Sequence, residues 1–125
     1  MFVFRKAAKA ANQDNSAQII AEVVERTQAT IQFKPDGTIL TANDNFLAAL
    51  GYRLEEITNR HHSMFVAQDL VKSAEYSRFW KDLAAGQVMT GQFPRLAKDG
   101  STVWIQATYA PVFGADGVVE RVVKV

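Results

Sequence analysis

The sequence has no cysteine among its 125 residues, and this absence excludes several kinds of site. Without thiols there is no disulfide framework, no thiolate zinc site and no c-type haem linkage. A flavin photocycle through a cysteinyl adduct and a thioester-linked chromophore are excluded for the same reason. Any cofactor must therefore be held without a covalent bond to sulfur.

Long runs of one kind of residue are also missing. Lys and Arg form no phosphate-neutralising stripe and the formal net charge is +1, so nucleic acid is not an expected partner. No apolar stretch approaches the ~20 residues that span a bilayer. At the start, Arg5 and Lys6 follow a very short apolar patch, which is the reverse of a secretory signal. We expect a cytoplasmic protein that does not enter a membrane.

Patterns typical of catalysis are absent too. No serine stands with a histidine and an acid in a recognisable nucleophile arrangement, and there is no Gly-rich phosphate loop. Glu55 and Glu56 are adjacent, and neighbouring side chains on a helix diverge instead of forming an acid/base pair. We therefore expect that the chain is not an enzyme.

The composition that remains, 48% apolar and 22% charged, is that of one globular domain. Residues 5–15 carry no clear apolar period and are interpreted as a tether or a frayed helix. Asn15 or Ser16 is predicted to cap a helix that follows. Four residues at four-residue spacing give this helix an apolar stripe: Ile19, Ile20, Val23 and Val24. Because so short a helix is marginal alone, we expect the stripe to dock, most simply in a homodimer.

Residues 28–125 alternate between strand and helix patterns. A hairpin is predicted over residues 30–41, with Pro35-Asp36-Gly37 as its turn. Short helices lead to Ser73, the predicted cap of the longest helix, which runs to about Ala85. Three strands follow, over residues 91–97, 101–112 and 118–125. This order predicts an α+β fold in which short helices cover one face of an antiparallel sheet. The predicted domains are 1–27, a tether and amphipathic helix, and 28–125, the folded unit.

Several side chains are candidates for binding a cofactor. Phe79 and Trp80 belong to a wide aromatic face on the longest helix, and an indole offers a flat surface and an N–H donor. The alternative is that this face only closes the core. Asn43 and Asn45 flank a short helix, where one is predicted to cap and the other to offer an amide to a ligand. Trp104 and Gln106 share a strand face, opposite Val103 and Ile105. This face is predicted to point either into the pocket or under the N-terminal helix.

The two histidines, His61 and His62, are adjacent in an irregular segment. Haem needs one axial imidazole in an apolar pocket, so either residue is a candidate ligand of haem iron. A zinc site would need more ligands than these two. Adjacent residues point in different directions, so one histidine is expected to be exposed, and local capping is the alternative role.

Ordered motifs in residues 28–125 resemble those of PAS domains. Asp36-Gly37-Thr38-Ile39, Ala42 to Phe46 and Leu50-Gly51-Tyr52 are similar to the first half of that family, and Arg95 to Ser101, Trp104 and Asp116-Gly117 to the second. The resemblance implies a sensory domain with a five-stranded antiparallel sheet. Asn59 departs from it, since many members carry Gly there, which concerns a local turn.

A narrower resemblance concerns receptors. Arg60 to Phe65 and Phe79-Trp80 look like the PAS domain at the front of soluble methyl-accepting chemotaxis receptors, and Trp80 with Thr90-Gly91 is similar to flavin-binding PAS domains of aerotaxis receptors. This implies non-covalent FAD, with haem b or an empty pocket as alternatives, and a receptor signalling domain after residue 125. Two departures weigh against FAD: Met89 replaces an aromatic residue, and the basic-acidic cluster of aerotaxis receptors is missing.

Overall fold

The computed structural model describes residues 2–125, with side chains from residue 15 onward. The described helices are α1 (Phe2–Thr27), α2 (Asp44–Leu50), α3 (Leu54–Ile57), a 3₁₀ helix (His62–Phe65), α4 (Gln68–Val71) and α5 (Ala74–Ala84). The strands are β1 (Ile31–Phe33), β2 (Ile39–Ala42), β3 (Met89–Leu96), β4 (Thr102–Phe113) and β5 (Val119–Lys124). The order of elements after α1 is the predicted one.

The five strands form one antiparallel sheet in the order β2-β1-β5-β4-β3. The last strand of the chain, β5, therefore lies in the middle of the sheet, between β1 and β4. Short helices pack against one face, which we call the inner face, and the predicted five-stranded α+β fold is confirmed. Because β5 is central, the last strand of the chain packs directly against the core through Val119 and Val122.

Caps define the ends of the helices, as the sequence predicted. The side chain of Asn43 accepts a hydrogen bond from the N–H of Phe46 at the start of α2, and Gly51 ends that helix with φ of 80°. Ser73 caps α5 in the same way by accepting from the N–H of Tyr76. These caps fix the helices that present the aromatic side chains to the sheet.

The first helix differs from its prediction. It runs without interruption from Phe2 to Thr27, so residues 5–15 are helical, in line with the second of their two interpretations, and Asn15 or Ser16 does not begin a helix. Ala and Lys, which are abundant in that segment, have high helix propensity, and propensity outweighs the missing apolar period. Within the described side chains, Ile19, Ile20 and Val23 are 53%, 65% and 54% exposed. Three of the four stripe residues are therefore not covered by the rest of the chain, and the fourth, Val24, is half-buried.

The core lies between the inner face and helices α2 to α5. It is unusually rich in rings, with seven buried or half-buried Phe, Tyr and Trp side chains in mutual contact around His62: Phe33, Phe65, Tyr76, Phe79, Trp80, Phe93 and Tyr109. Aromatic pairs at edge-to-face geometry add to the stability that comes from burial. The core is thus filled by the chain's own rings.

Candidate functional site

His62 is the centre of the candidate site. It is 1% exposed, while His61 beside it is exposed, so the expectation that one of the two histidines faces solvent is confirmed. The His62 ring stacks on Tyr76 at 5.8 Å between centroids and meets Trp80 edge-on at 5.3 Å. The 3₁₀ helix, which begins at His62, holds the imidazole between the inner face and α5.

A chain of hydrogen bonds runs through His62. Its Nδ1 lies 2.8 Å from the Tyr76 hydroxyl and its Nε2 lies 3.0 Å from the Tyr109 hydroxyl. Arg95 donates to the oxygen of Tyr109 from Nε at 3.3 Å and from Nη2 at 3.0 Å. Two donors from Arg95 fill both lone pairs of that oxygen, so the Tyr109 hydroxyl donates to His62 Nε2. His62 then carries its proton on Nδ1 and donates it to Tyr76.

Two cations are buried next to this chain of bonds. Arg95 is 4% exposed and Lys124 is 3% exposed. Among the described side chains, the ion pairs lie at the surface around Glu56, and neither buried cation has a carboxylate partner. Lys124 Nζ lies 5.2 Å from the ring centroid of Tyr109 and 5.5 Å from that of Phe46, which is cation–π distance. The interior is therefore positive.

Burial shifts the protonation of the whole group. Desolvation, with the charge of Arg95 as a second cause, lowers the pKa of Lys124 to about 7. The same two causes hold the pKa of His62 well below its ordinary value, so the imidazole is neutral at pH 7. Desolvation also raises the pKa of Tyr76 to about 12 and raises the pKa of Tyr109. Both phenols thus keep their protons.

Trp80 lies at the edge of the same cluster. It is 7% exposed, and its indole N–H is the buried side-chain polar group without a hydrogen-bond partner within residues 15–125. Phe79 beside it is half-buried and meets the Tyr109 ring edge-on at 4.9 Å. The structure thus brings together three of the predicted site residues: Phe79, Trp80 and His62.

His61 serves the turn between β1 and β2. Its Nδ1 accepts from the N–H of Ser63 at 3.0 Å, which leaves Nε2 as the donor to the carbonyl of Asp36 at 2.8 Å. Both ring nitrogens are therefore used locally, as the capping alternative expected. This contact also places the imidazole against Trp80, with ring centroids 6.1 Å apart.

Asn43 and Asn45 hold the end of α1 and do not join the site. Asn45 Nδ2 donates to the carbonyls of Glu25 and Gln28 at 2.9 and 3.0 Å, and Asn43 Nδ2 donates to that of Gln28 at 2.7 Å. Asn43 also caps α2, so the predicted capping role is confirmed for this residue. The donors that were predicted for a ligand are engaged by the last turn of α1.

Trp104 and Gln106 lie on the other side of the sheet. Trp104 is 68% exposed and Gln106 is exposed as well, on the face that turns away from the helices. The sheet itself separates them from the core, so the structure does not bring them to a group held under the helices. Trp104 is also not covered by α1, contrary to the second alternative in its prediction.

Three site residues were missed in the sequence: Arg95, Tyr109 and Lys124. Tyr109 shares the strand face of Val103 and Ile105 but was not singled out. The signal for Lys124 was its spacing from Val122, because residues two apart on a strand share a face. Arg95 lies two residues after Phe93 on the inner face, where the same rule applies.

Comparisons with known proteins agree with this fold. The chain matches a family described as "PAS fold" over residues 39–125. It is 38% identical to the biofilm dispersion protein BdlA of Pseudomonas aeruginosa over 113 residues, which is 90% of this chain and 27% of that protein. It is 31% identical to the aerotaxis receptor of Escherichia coli over 74 residues, which is 59% of this chain and 14% of that receptor.

Solved structures give the same architecture. A light-oxygen-voltage domain studied with a flavin analogue aligns with a TM-score of 0.70 and 26% identity, covering 86% of this chain and 81% of the other. An RNA-binding light-oxygen-voltage receptor aligns with a TM-score of 0.71 at 21% identity, covering 86% of this chain and 31% of that one, and at this identity shows the fold alone. In the described part of the chain, no helix is both long and apolar enough to cross a membrane.

Proposed function

Because the chain belongs to the PAS family, we propose that it is the sensory input domain of a cytoplasmic chemotaxis receptor. The chain spans 27% and 14% of the two curated relatives, so the output of such a receptor belongs to other parts of the protein. Kinship with these receptors confirms that the domain is not an enzyme. Its task is to convert a change in the core into a change at the ends of the chain.

We favour FAD, held without a covalent bond, as the sensing group, with Trp80 as the main contact. The observation that carries this proposal is the buried indole N–H of Trp80, which lacks an acceptor within residues 15–125. An isoalloxazine edge supplies carbonyl and ring-nitrogen acceptors, and when bound it would supply reversible electron transfer. Gly91 and Ala107 face each other on the inner face and offer the least side-chain bulk there. The ring nearest to Gly91 is that of Phe93, 3.6 Å from where a Cβ would lie, so this ring has to move for a flavin to lie over the pair.

Haem b is the less favoured cofactor because the ring nitrogens of both histidines are already engaged in hydrogen bonds. His62 lies in an apolar surrounding suited to haem, but its Nε2 lone pair accepts from Tyr109. His61 has both nitrogens in local hydrogen bonds. Coordination of iron by His62 would require that Tyr109 leave its present bond. The flavin requires no such exchange at an imidazole, which supports its priority.

The signal would pass through β5 and α1. Lys124 on β5 touches the ring of Tyr109, and Asn45 on α2 holds the last turn of α1. A change in hydrogen bonding around Tyr109 therefore has a short path to both ends of the chain. Two arrangements that differ by a few kcal/mol are enough for a switch of this kind.

The first measurement is an absorption spectrum of the freshly purified domain and of the supernatant after heat denaturation. We expect the bands of oxidised flavin, released on heating. Trp80→Phe keeps a ring but removes the N–H, and it should raise the Kd for FAD by about tenfold, the effect of one hydrogen bond of about 1.4 kcal/mol. A Soret band would instead show that the bound group is haem, and the proposed ligand would then be His62. A spectrum that stays flat after incubation with FAD and haem would refute both groups.

The alternative is a cofactor-free dimerisation module, favoured by the exposed stripe on α1 and by the ring-filled core. In either case we expect a homodimer through the stripe of Ile19, Ile20, Val23 and Val24. Charges at two of these positions, Ile20→Glu with Val24→Glu, should convert the dimer to a monomer in light scattering after gel filtration. The control Gln18→Glu with Ala21→Glu adds the same charges outside the stripe and should remain dimeric. An unchanged mass for the stripe variant would contradict this interface.

A further inference from the structure

The side chain of Lys124 places a primary amine inside the core. Lys124 is 3% exposed, and its Nζ lies 5.5 Å from the ring centroid of Phe46 and 5.2 Å from that of Tyr109. On β5 it stands opposite Ile31 of β1 and Tyr109 of β4. Within residues 15–125 the ion pairs lie at the surface around Glu56, so this amine meets no carboxylate there.

The amine is buried but not sealed from solvent. Among the described side chains, the polar atom that is both fully enclosed and without a hydrogen-bond partner is Trp80 Nε1. Lys124 Nζ also takes part in no hydrogen bond with the described residues, yet it is not fully enclosed, so it keeps a narrow contact with solvent. Because only 3% of Lys124 is exposed, a small molecule can reach Nζ whereas a bulky reagent cannot.

Burial also makes this amine a nucleophile at neutral pH. Desolvation, with the charge of Arg95 as the second cause, lowers the pKa of Lys124 to about 7. About half of the molecules thus carry a neutral amine at pH 7, whereas an exposed lysine with a pKa of about 10.4 is neutral in fewer than about one in a thousand. The electron pair of a neutral amine attacks electrophiles. The titratable groups that face it from the elements around it are Arg95 on β3, Tyr109 on β4 and His62 on the 3₁₀ helix.

Arg95 is a buried cation that lacks an anionic partner. Its guanidinium has five N–H donors, of which two bond the oxygen of Tyr109 and one bonds the carbonyl of Pro94. The other two donors have no acceptor among the described residues. The guanidinium carbon lies 5.9 Å from the ring centroid of Tyr109, the ring that Lys124 also contacts. An anion formed at Nζ would supply the acceptor that this cation lacks.

We propose that the Lys124 amine binds carbon dioxide reversibly as a carbamate, whose oxygens accept from the two free donors of Arg95. Nζ forms a bond to the carbon of CO₂, the electron pair of one C=O π bond moves to an oxygen, and one proton leaves Nζ for water. Two features select CO₂ among electrophiles. It is small, linear and apolar, so it passes a narrow opening, and its product is an anion, whereas an aldehyde would form an imine with no charge to offer Arg95. The modification needs neither flavin nor haem, so its test is independent of the absorption spectrum.

The test traps the carbamate in the whole chain. The protein is equilibrated at pH 7 with ¹³C-bicarbonate, which supplies labelled CO₂, and is alkylated with triethyloxonium, which converts a carbamate to a stable ester. Mass spectrometry of the peptides should find at least about a hundredfold more label on Lys124 than on Lys72, an exposed lysine. The α-amino group, with an ordinary pKa of about 7.7–8.0, should also be labelled and shows that the trapping works. Label on the α-amino group without label on Lys124 would refute the carbamate.

A stability measurement separates the carbamate from a general effect of salt. Bicarbonate at pH 7 should raise the urea midpoint of unfolding of the wild type relative to chloride at the same ionic strength, because the ligand binds the folded state. Lys124→Met should show no such rise, and Lys72→Met should show the wild-type rise. An equal rise in all three proteins would mean that bicarbonate acts as a salt and would refute the site.

The role of Arg95 is tested in the same samples by its Nε–H resonance in ¹H–¹⁵N spectra. Bicarbonate should move this resonance in a saturable way in the wild type and leave it in place in Lys124→Met. Label on Lys124 together with an unmoved Arg95 resonance would overturn the assignment of Arg95 as the partner of the carbamate.

Discussion

Replacement of Lys124 with methionine is expected to raise the free energy of unfolding at pH 7 by about 2–4 kcal/mol. The ammonium is buried among rings, lies near Arg95, and has no carboxylate partner among the described side chains. Methionine fills a similar volume without a charge and adapts to irregular space. The buried charge therefore lowers stability where it stands, next to the ring of Tyr109.

The pH dependence of the free energy of unfolding identifies the buried lysine as the cause of this gain. Burial lowers the pKa of Lys124 to about 7 in the folded protein, against about 10.4 in an unfolded chain. Between these values the unfolded state binds the proton that the folded state lacks, so stability rises with pH, by about 3 kcal/mol between pH 7 and 9.5. Urea unfolding followed by circular dichroism should show this rise in the wild type and a nearly flat profile in Lys124→Met.

Other titrating groups limit the pH range in which Lys124 alone sets the slope of stability, and a second lysine serves as the control. The pKa of His62 is lowered, so its contribution is lost as pH falls below about 6.5, in both proteins alike. Burial raises the pKa of Tyr76 to about 12, which adds an opposite slope above about pH 10. Lys72→Met, at an exposed position, should keep the wild-type slope from pH 7 to 9.5. The same slope in Lys124→Met would contradict a buried, titrating lysine.

The sequence was sufficient for features that depend on neighbouring residues. The caps Asn43 and Ser73, the aromatic face of α5 and the order of elements along the chain after α1 all follow from local patterns, and the structure has each of them. The ordered motifs across residues 28–125 also led to the correct family. Such predictions succeed because, in natural sequences, the local preferences of the residues agree with the overall fold.

The residues that form the candidate site were predicted less accurately, because they are brought together by contacts between distant parts of the chain. Asn45 was a candidate for ligand binding, but its partners are backbone carbonyls 17 and 20 residues away, at the end of a helix. Strand alternation correctly put Trp104 on the face opposite Val103 and Ile105, but it could not say which face borders the helices, and in the structure Trp104 lies on the outer face. Lys124 escaped notice because a lysine is expected at the surface. Strand alternation, applied strictly, would have corrected the omission of Lys124.

Gly37→Ala is expected to lower the free energy of unfolding by about 2–4 kcal/mol, for two separable reasons. Gly37 has φ of 95°, where a residue with a Cβ is strained by about 1–2 kcal/mol. Its new Cβ would also lie 2.6 Å from His61 Nε2 and 3.0 Å from Trp80 Cε2, so the imidazole and the indole must shift. Gly100→Ala is the matched control, because Gly100 has φ of 87° and nothing within 4 Å of the added atom. Urea unfolding of both variants should give a larger loss for Gly37→Ala, accompanied by movement of the Trp80 indole N–H peak in ¹H–¹⁵N spectra, which Gly100→Ala leaves in place. Equal losses would mean that the added Cβ does not press on His61 and Trp80, and the second of the two reasons would then be wrong.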